Sequence, residues 1–225
     1  MFELTAPPVL PFDVIGHIID ILFNDGTEGL QYVKDFSLVC HSFLPLCRKY
    51  IFSCISINTW LFRYDGKAFG QLLLESPDIA RYVRKLKVCM EQSNKHCRSF
   101  RSFRVSQLTR LQSLSYLGFG LEWGELSSPT QHSLVNLMHL PTLTHLDVER
   151  ISGFPISNLN GCTNIKHLFL RRVDIIDDEA TSSPLCRKSM KLQSLHISIP
   201  SRSTFQNIFR KIQQLEDLSL RINGM

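Results

Sequence analysis

Apolar residues fall at helical spacing in the first fifty residues of this chain and at alternating spacing afterwards. Val14, Ile15, Ile18, Ile19 and Leu22 recur three and four apart behind Pro11, which suits a helix's first turn because its missing N–H has no partner to lose there. The spacing predicts a helix over Phe12 to Phe23. Asn24, Asp25, Gly26, Thr27, Glu28 and Gly29 are turn formers and end it, ahead of a second apolar run through Leu30, Val33, Phe36, Leu38, Val39 and Phe43. Pro45 opens a third short helix reaching about Phe52. So short a segment cannot enclose all these side chains, so another protein is expected to cover part of this apolar face.

Beyond Phe52 the pattern becomes a series of short pieces that align on Leu-x-x-Leu-x-Leu. They are Val83, Leu86, Val88; Leu111, Leu114, Tyr116; Leu143, Leu146, Val148; Ile165, Leu168, Leu170; Leu192, Leu195, Ile197; and Leu215, Leu218, Leu220. Their middle residues are separated by 28, 32, 22, 27 and 23 positions, against a repeat of about 20 to 29 in leucine-rich arrays, which this series resembles. The last two apolar residues of each piece point inward from a short strand, and the rest of the repeat returns the chain so that the next strand lies parallel. Where many such repeats carry Asn, this chain has Glu91, Phe119, Ile151, Val173 and Pro200, and only the last unit offers Asn223. An irregular stack is therefore expected, with helices or loops filling the longer connections around Leu117 to Leu140 and Ile175 to Ser189.

The N-terminal residues carry a second resemblance. Leu10, Pro11, Asp13, Val14, Ile18 and Leu22, then Ser37, Leu38, Val39, Cys40 and Phe43, then Arg48 and Phe52, resemble an F-box. Phe43 stands where that family often has Trp, and the Asn24 to Gly29 turn is longer than in many members. The resemblance implies a helical module that docks on a Skp-family adaptor, and through it on a cullin ubiquitin ligase, by way of Leu10, Pro11, Val14, Ile18, Leu22, Leu38, Val39, Cys40 and Phe43. Together the two resemblances imply an α/β chain. A tail over 1–9 precedes an F-box-like helical module over 10–54, and an irregular leucine-rich-repeat solenoid follows over 55–225, with parallel strands on a concave face and helices or loops on a convex one. The last strand is followed only by Met225 and its immediate neighbours, so the array is expected to be incomplete or uncapped, with the Leu218, Leu220 and Ile222 edge covered by further chain or by a partner.

Strand alternation locates the target-reading face. If Leu146 and Val148 point inward, His145, Asp147 and Glu149 point out, and the same register exposes Lys85 and Lys87, Ser113 and Ser115, His167, Phe169 and Arg171, Ser194, His196 and Ser198, and Asp217, Ser219 and Arg221. The expected target-binding set is Lys85, Lys87, His145, Asp147, Glu149, His167, Phe169, Arg171, His196, Asp217 and Arg221. Phe169 and Arg171 are its expected anchors, an aromatic and an arginine on an otherwise polar face. No metal site is expected from the histidines, which as surface neighbours are usually just solvated.

Composition narrows the function without naming a target. The chain has 225 residues, 44% of them hydrophobic, with mean hydropathy −0.01. It contains neither an apolar run of about eighteen residues nor a signal-peptide pattern, so no membrane association and an intracellular location, cytoplasm or nucleus, are expected. Seven cysteines, an odd number without a Cys-x-x-Cys pair, read as thiols rather than a disulfide framework or a zinc site. Residues 1–60 carry six acids and three bases, 61–110 four and eleven, and 111–225 ten and eleven, so the middle segment, at +7, holds all the excess behind the chain's net +5. There Arg98, Arg101 and Arg104 interleave with Phe100 and Phe103. Bases among aromatics can bind nucleic acid, yet no nucleic-acid fold accompanies them, and a solvated loop or a dock for an acidic partner is the preferred reading. The Gly118 to Gly124 cluster reads as a turn after a strand, its last glycine falling one residue late for a dinucleotide fingerprint. No nucleophile elbow, phosphate loop or metalloprotease helix occurs, so no enzymatic activity and no cofactor are expected. The expected function is that of a substrate-recognition subunit of an SCF-type ligase; a repeat scaffold without a ligase connection is the alternative.

Overall fold

The computed structural model describes residues 10–58, 66–91, 107–176, 190–199 and 212–222. Contacts divide the chain into two compact units, Met1–Ser53 and Cys54–Met225.

The first unit holds three helices, α1 (Phe12–Phe23), α2 (Gly29–Ser37) and α3 (Leu44–Ile51). The bounds of α1 are those its apolar spacing predicts. It starts where the Pro11 carbonyl accepts from the Ile15 N–H at 3.1 Å, and it ends where both the backbone and side-chain nitrogens of Asn24 donate to the Asp20 carbonyl. Pro45 lies in the first turn of α3. Ile15, Ile19, Val33 and Cys47 are buried at the centre, with Leu22, Phe23, Phe36, Phe43, Leu46, Tyr50 and Ile51 packed around them. Burying each of the branched aliphatics contributes about 1.5–3 kcal/mol. The Phe36 and Phe43 rings stack at 4.8 Å, and the Tyr50 hydroxyl donates to the Asp20 carboxylate. Gly29 opens α2 where a Cβ would stand 2.3 Å from the Phe23 carbonyl oxygen, so only glycine lets α2 begin this close to the end of α1.

The second unit is built on a parallel sheet. Along the chain its strands are β1 (Cys54–Asn58), β2 (Lys85–Glu91), β3 (Ser113–Glu122), β4 (His145–Ser152), β5 (Phe154–Pro155), β6 (His167–Arg171), β7 (Ile175–Ile176), β8 (Met190–Ile199) and β9 (Ile212–Ile222). Seven of them form one sheet in the order β1-β2-β3-β4-β6-β8-β9, and β5 pairs with β7. The apolar pieces of the sequence align across it: Leu86, Leu114, Leu146, Leu168, Leu195 and Leu218 are successive partners, and so are Val88, Tyr116, Val148, Leu170, Ile197 and Leu220. Those on β2 to β8 are buried. One further strand, β1, extends both rows with Ile55 and Ile57.

Helices α4 (Gly66–Glu75) and α5 (Ser128–Met138) lie in the connections. The Tyr116 hydroxyl donates to the Leu134 carbonyl at 3.1 Å, which sets α5 on the sheet's apolar face and fills the long Leu117 to Leu140 connection with a helix. Full burial pushes the Tyr116 phenol well above its ordinary range, keeping it a donor. Most of the Ile175 to Ser189 connection, the Arg98 to Arg104 bases, residues 1–9, Cys97, Cys186, Pro200 and the chain end after Ile222 lie outside the described residues.

The glycine cluster departs from its expectation. Instead of a turn, β3 continues to Glu122 with a register shift between Leu117 and Leu121, the mark of a bulge that glycine permits. Gly120 has φ +65°, and a Cβ on Gly118 would meet the Arg150 carbonyl oxygen at 2.7 Å. Arg150 and Arg172 take φ values of +56° and +55°, one residue past the paired stretch of β4 and β6. A non-glycine residue there costs on the order of 1–2 kcal/mol.

Candidate binding surfaces

The first unit presents an apolar surface. Leu38 and Val39, at the end of α2, are 84% and 70% exposed, and Phe12 and Ile21 on α1 are each 59% exposed. Of the residues expected to meet an adaptor, Leu10, Pro11, Val14, Leu38, Val39 and Cys40 are exposed and Ile18 is half-buried. Leu22 and Phe43 pack against the buried core and so hold the unit together. Val14, Ile18 and Ile21 recur at four and three residues along one flank of α1, beside the face that carries Ile15 and Ile19. That spacing was available in the sequence and would have added Ile21; Phe12, Leu30 and Tyr32 are further exposed apolar positions it did not single out. A hydrogen bond with Ser42 lowers the pKa of the exposed Cys40 thiol.

The second unit presents three polar rows on the face opposite the leucines. Cys54, Lys85, Ser113, His145, His167, Ser194 and Asp217 are successive partners across the sheet; Ser56, Lys87, Ser115, Asp147, Phe169, His196 and Ser219 form the next row; Asn58, Cys89, Leu117, Glu149, Arg171, Ser198 and Arg221 form the third. The pleat that turns each leucine inward turns its sequence neighbours outward. All eleven expected target-binding positions stand in these rows, Asp217 and Arg221 by the register of β9. Lys85, Lys87, His145 and Arg171 are exposed, while Asp147, Glu149, His167, Phe169 and His196 are half-buried.

Contacts along the rows differ from one end of the strands to the other. At the C-terminal end the Arg171 guanidinium donates to Asp147 through Nε and Nη2 and lies 3.2 Å from Glu149. Asp147 also accepts from the Ser115 hydroxyl at 3.5 Å. The Asp147 hydrogen bonds and both carboxylates raise the Arg171 pKa further, so this charge is already partnered inside the sheet. Phe169 is not an isolated aromatic, because His196 stacks on it at 4.6 Å with the rings within 1° of parallel. At the N-terminal end the His145 and His167 rings stack at 4.3 Å. Each imidazole is oriented by a hydroxyl: Thr144 Oγ1 lies 2.8 Å from His145 Nδ1 and Ser194 Oγ lies 2.7 Å from His167 Nδ1.

Among the described residues no cluster of three His, Cys, Asp or Glu side chains is placed to hold a metal ion, and no helix is long and apolar enough to cross a membrane. No family model, curated protein or solved structure matches the chain.

Proposed function

We propose that the chain is a substrate-recognition subunit of an SCF-type ubiquitin ligase, in which the three-helix unit is an F-box that holds a Skp-family adaptor and the sheet unit is an irregular leucine-rich-repeat solenoid that reads a protein target. The observation that carries the reading is the exposed apolar surface of the first unit. Leu10, Phe12, Val14, Ile21, Leu38 and Val39 stand open on a body that, among the described residues, buries Ile15, Ile19, Val33 and Cys47 as its apolar centre, and an apolar surface of this kind marks a contact with another protein. The Leu-Pro-x-Asp start at Leu10 and the Ser37 to Phe43 segment supply four of the open positions, Leu10, Phe12, Leu38 and Val39. Further support comes from the six repeat pieces, which occupy six neighbouring strands in one register.

The test is co-purification with the cullin adaptor. Leu38→Asp, or Leu10→Ala with Pro11→Ala, is expected to weaken adaptor binding by roughly fivefold or more, each central anchor costing about 1–2 kcal/mol. The far-ultraviolet spectrum of the sheet unit stays unchanged. Adaptor binding that survives all three substitutions, or a wild-type chain that never retains the adaptor, sinks the ligase reading and leaves a repeat scaffold as the alternative.

A further inference from the structure

Charge is segregated along the strands of the polar face. The carboxylates Asp147 and Glu149 stand in the second and third rows, two and four residues along β4 from His145, and Arg171 engages both. The N-terminal end has no such balance. Backbone hydrogen bonds carry a ladder through Arg84, Gln112, Thr144, Lys166 and Gln193, each N–H donating to the preceding carbonyl. Immediately above it stand Lys85, Ser113, His145, His167 and Ser194. Neither level holds an acid between β2 and β8, and among the described residues Lys85 and Lys166 join no ion pair. By register the first acidic position in this row is Asp217 on β9, two strands beyond His167 and so about 10 Å along the sheet.

We propose that this end of the face docks an acidic segment of the target, seating its carboxylates between Lys85 and Lys166 and over the stacked imidazoles of His145 and His167. The proposal rests on reading the polar face as the target surface and does not depend on the adaptor. Two cations and two imidazoles, whose neighbouring carboxylate Asp147 is already engaged by Arg171, leave a positive field that an anionic partner complements, and field complementarity governs both encounter and register. The hydroxyls on Thr144 and Ser194 fix each Nδ1, so the rings present their other edges. The groups facing His145 are Lys85 from the β2 side, Lys166 and His167 from the β6 side, and Asp147 two residues along its own strand. Asp147 is held by Arg171 and Ser115. Burial first, then His167, Lys85 and Lys166, lower the His145 pKa in the free chain. A bound carboxylate opposes the cationic contributions, so binding takes up protons and strengthens as pH falls through the histidine range.

The experiment titrates the full chain into a fluorescent hexaglutamate peptide, followed by anisotropy between about pH 7.5 and 5.5 at roughly 50 mM salt, with hexaglutamine as the uncharged control. Hexaglutamate binds and hexaglutamine does not. Lys85→Gln with Lys166→Gln weakens binding roughly tenfold, and His145→Gln with His167→Gln removes the pH dependence. Arg98→Gln, Arg101→Gln and Arg104→Gln together leave the affinity within twofold. The docking site is overturned if the wild-type chain ignores the peptide, if the lysine variant binds as well as wild type, or if the arginine variant alone loses binding. Circular dichroism on each variant checks folding; His145→Gln alone serves if the double histidine change unfolds the sheet. Adaptor co-purification scored on the wild-type chain separates the two readings: a chain that ignores the peptide yet retains the adaptor sinks only the docking site, and one that binds the peptide without retaining the adaptor sinks only the ligase.

Discussion

A single imidazole shows how the sheet's surface sets chemistry at the residue scale. His145 has its pKa lowered from 6.5 by partial burial and then by its neighbours His167, Lys85 and Lys166. Above about pH 6.5 the ring is neutral in folded and unfolded chains alike, and His145 adds no pH dependence to stability. Below it the unfolded chain takes the proton first, so stability falls progressively until the pH passes the folded value. Urea midpoints measured from about pH 7.5 to 5 are expected to drop for the wild-type chain and to drop less for His145→Gln; equal slopes would show that burial and the neighbouring charges do not act on this ring. Arg171 was legible in the sequence as an outward arginine, but its partners were not. Asp147 and Glu149 lie on another strand, twenty-four and twenty-two residues away, and no local pattern announces a guanidinium shared between them. Half-exposed pairs of this kind contribute about 0–1 kcal/mol each, so their effect is to fix the arginine's direction rather than to hold the sheet.

Elements were legible wherever one physical period dominated. The three- and four-residue spacing fixed both ends of α1, and the inward pairs of each repeat fixed the register of six strands, because a one-residue slip turns every leucine of a strand to the wrong face. The continuation of β3 was not legible. Gly118 and Gly120 look like turn residues in isolation, and their reason lies across the sheet, where the Arg150 carbonyl turns toward Gly118. The left-handed residues Arg150 and Arg172 were equally hidden, since neither is Gly or Asn. Arg150 is compensated by an ion pair with Glu149 at 3.6 Å and by lying over the Phe119 ring at 5.3 Å. Gly118→Ala would put a Cβ 2.7 Å from the Arg150 carbonyl oxygen and 2.9 Å from Ile151 Cγ1. A backbone atom cannot swing aside as a side chain can, so the substitution is expected to cost about 1–3 kcal/mol in urea unfolding. A loss below about 0.5 kcal/mol would mean that β3 and β4 separate there easily.

At the scale of the whole molecule the chain joins a unit with four buried apolar residues at its centre to one whose apolar rows run through an entire sheet. Local opening follows the apolar surface that holds a region closed. Amide exchange is therefore expected to be fastest in α1 and α2 and at least tenfold slower in β3, β4 and β6, read by mass spectrometry on the intact chain; comparable protection in both would show that the first unit draws stability from more than its own core. The rows have a further consequence, which is metric. Positions in a row repeat at the strand spacing, about 4.8 Å, whereas alternate residues of an extended ligand repeat at about 6.6–6.8 Å and successive turns of a helical one at about 5.4 Å. An extended ligand laid across the strands drifts out of step by about 2 Å per strand, and a helical one by about 0.6 Å. Over the three strand steps from Lys85 to His167 a helical ligand would slip by less than half a strand spacing, so a target laid across this face would keep count with the strands if helical and lose count if extended.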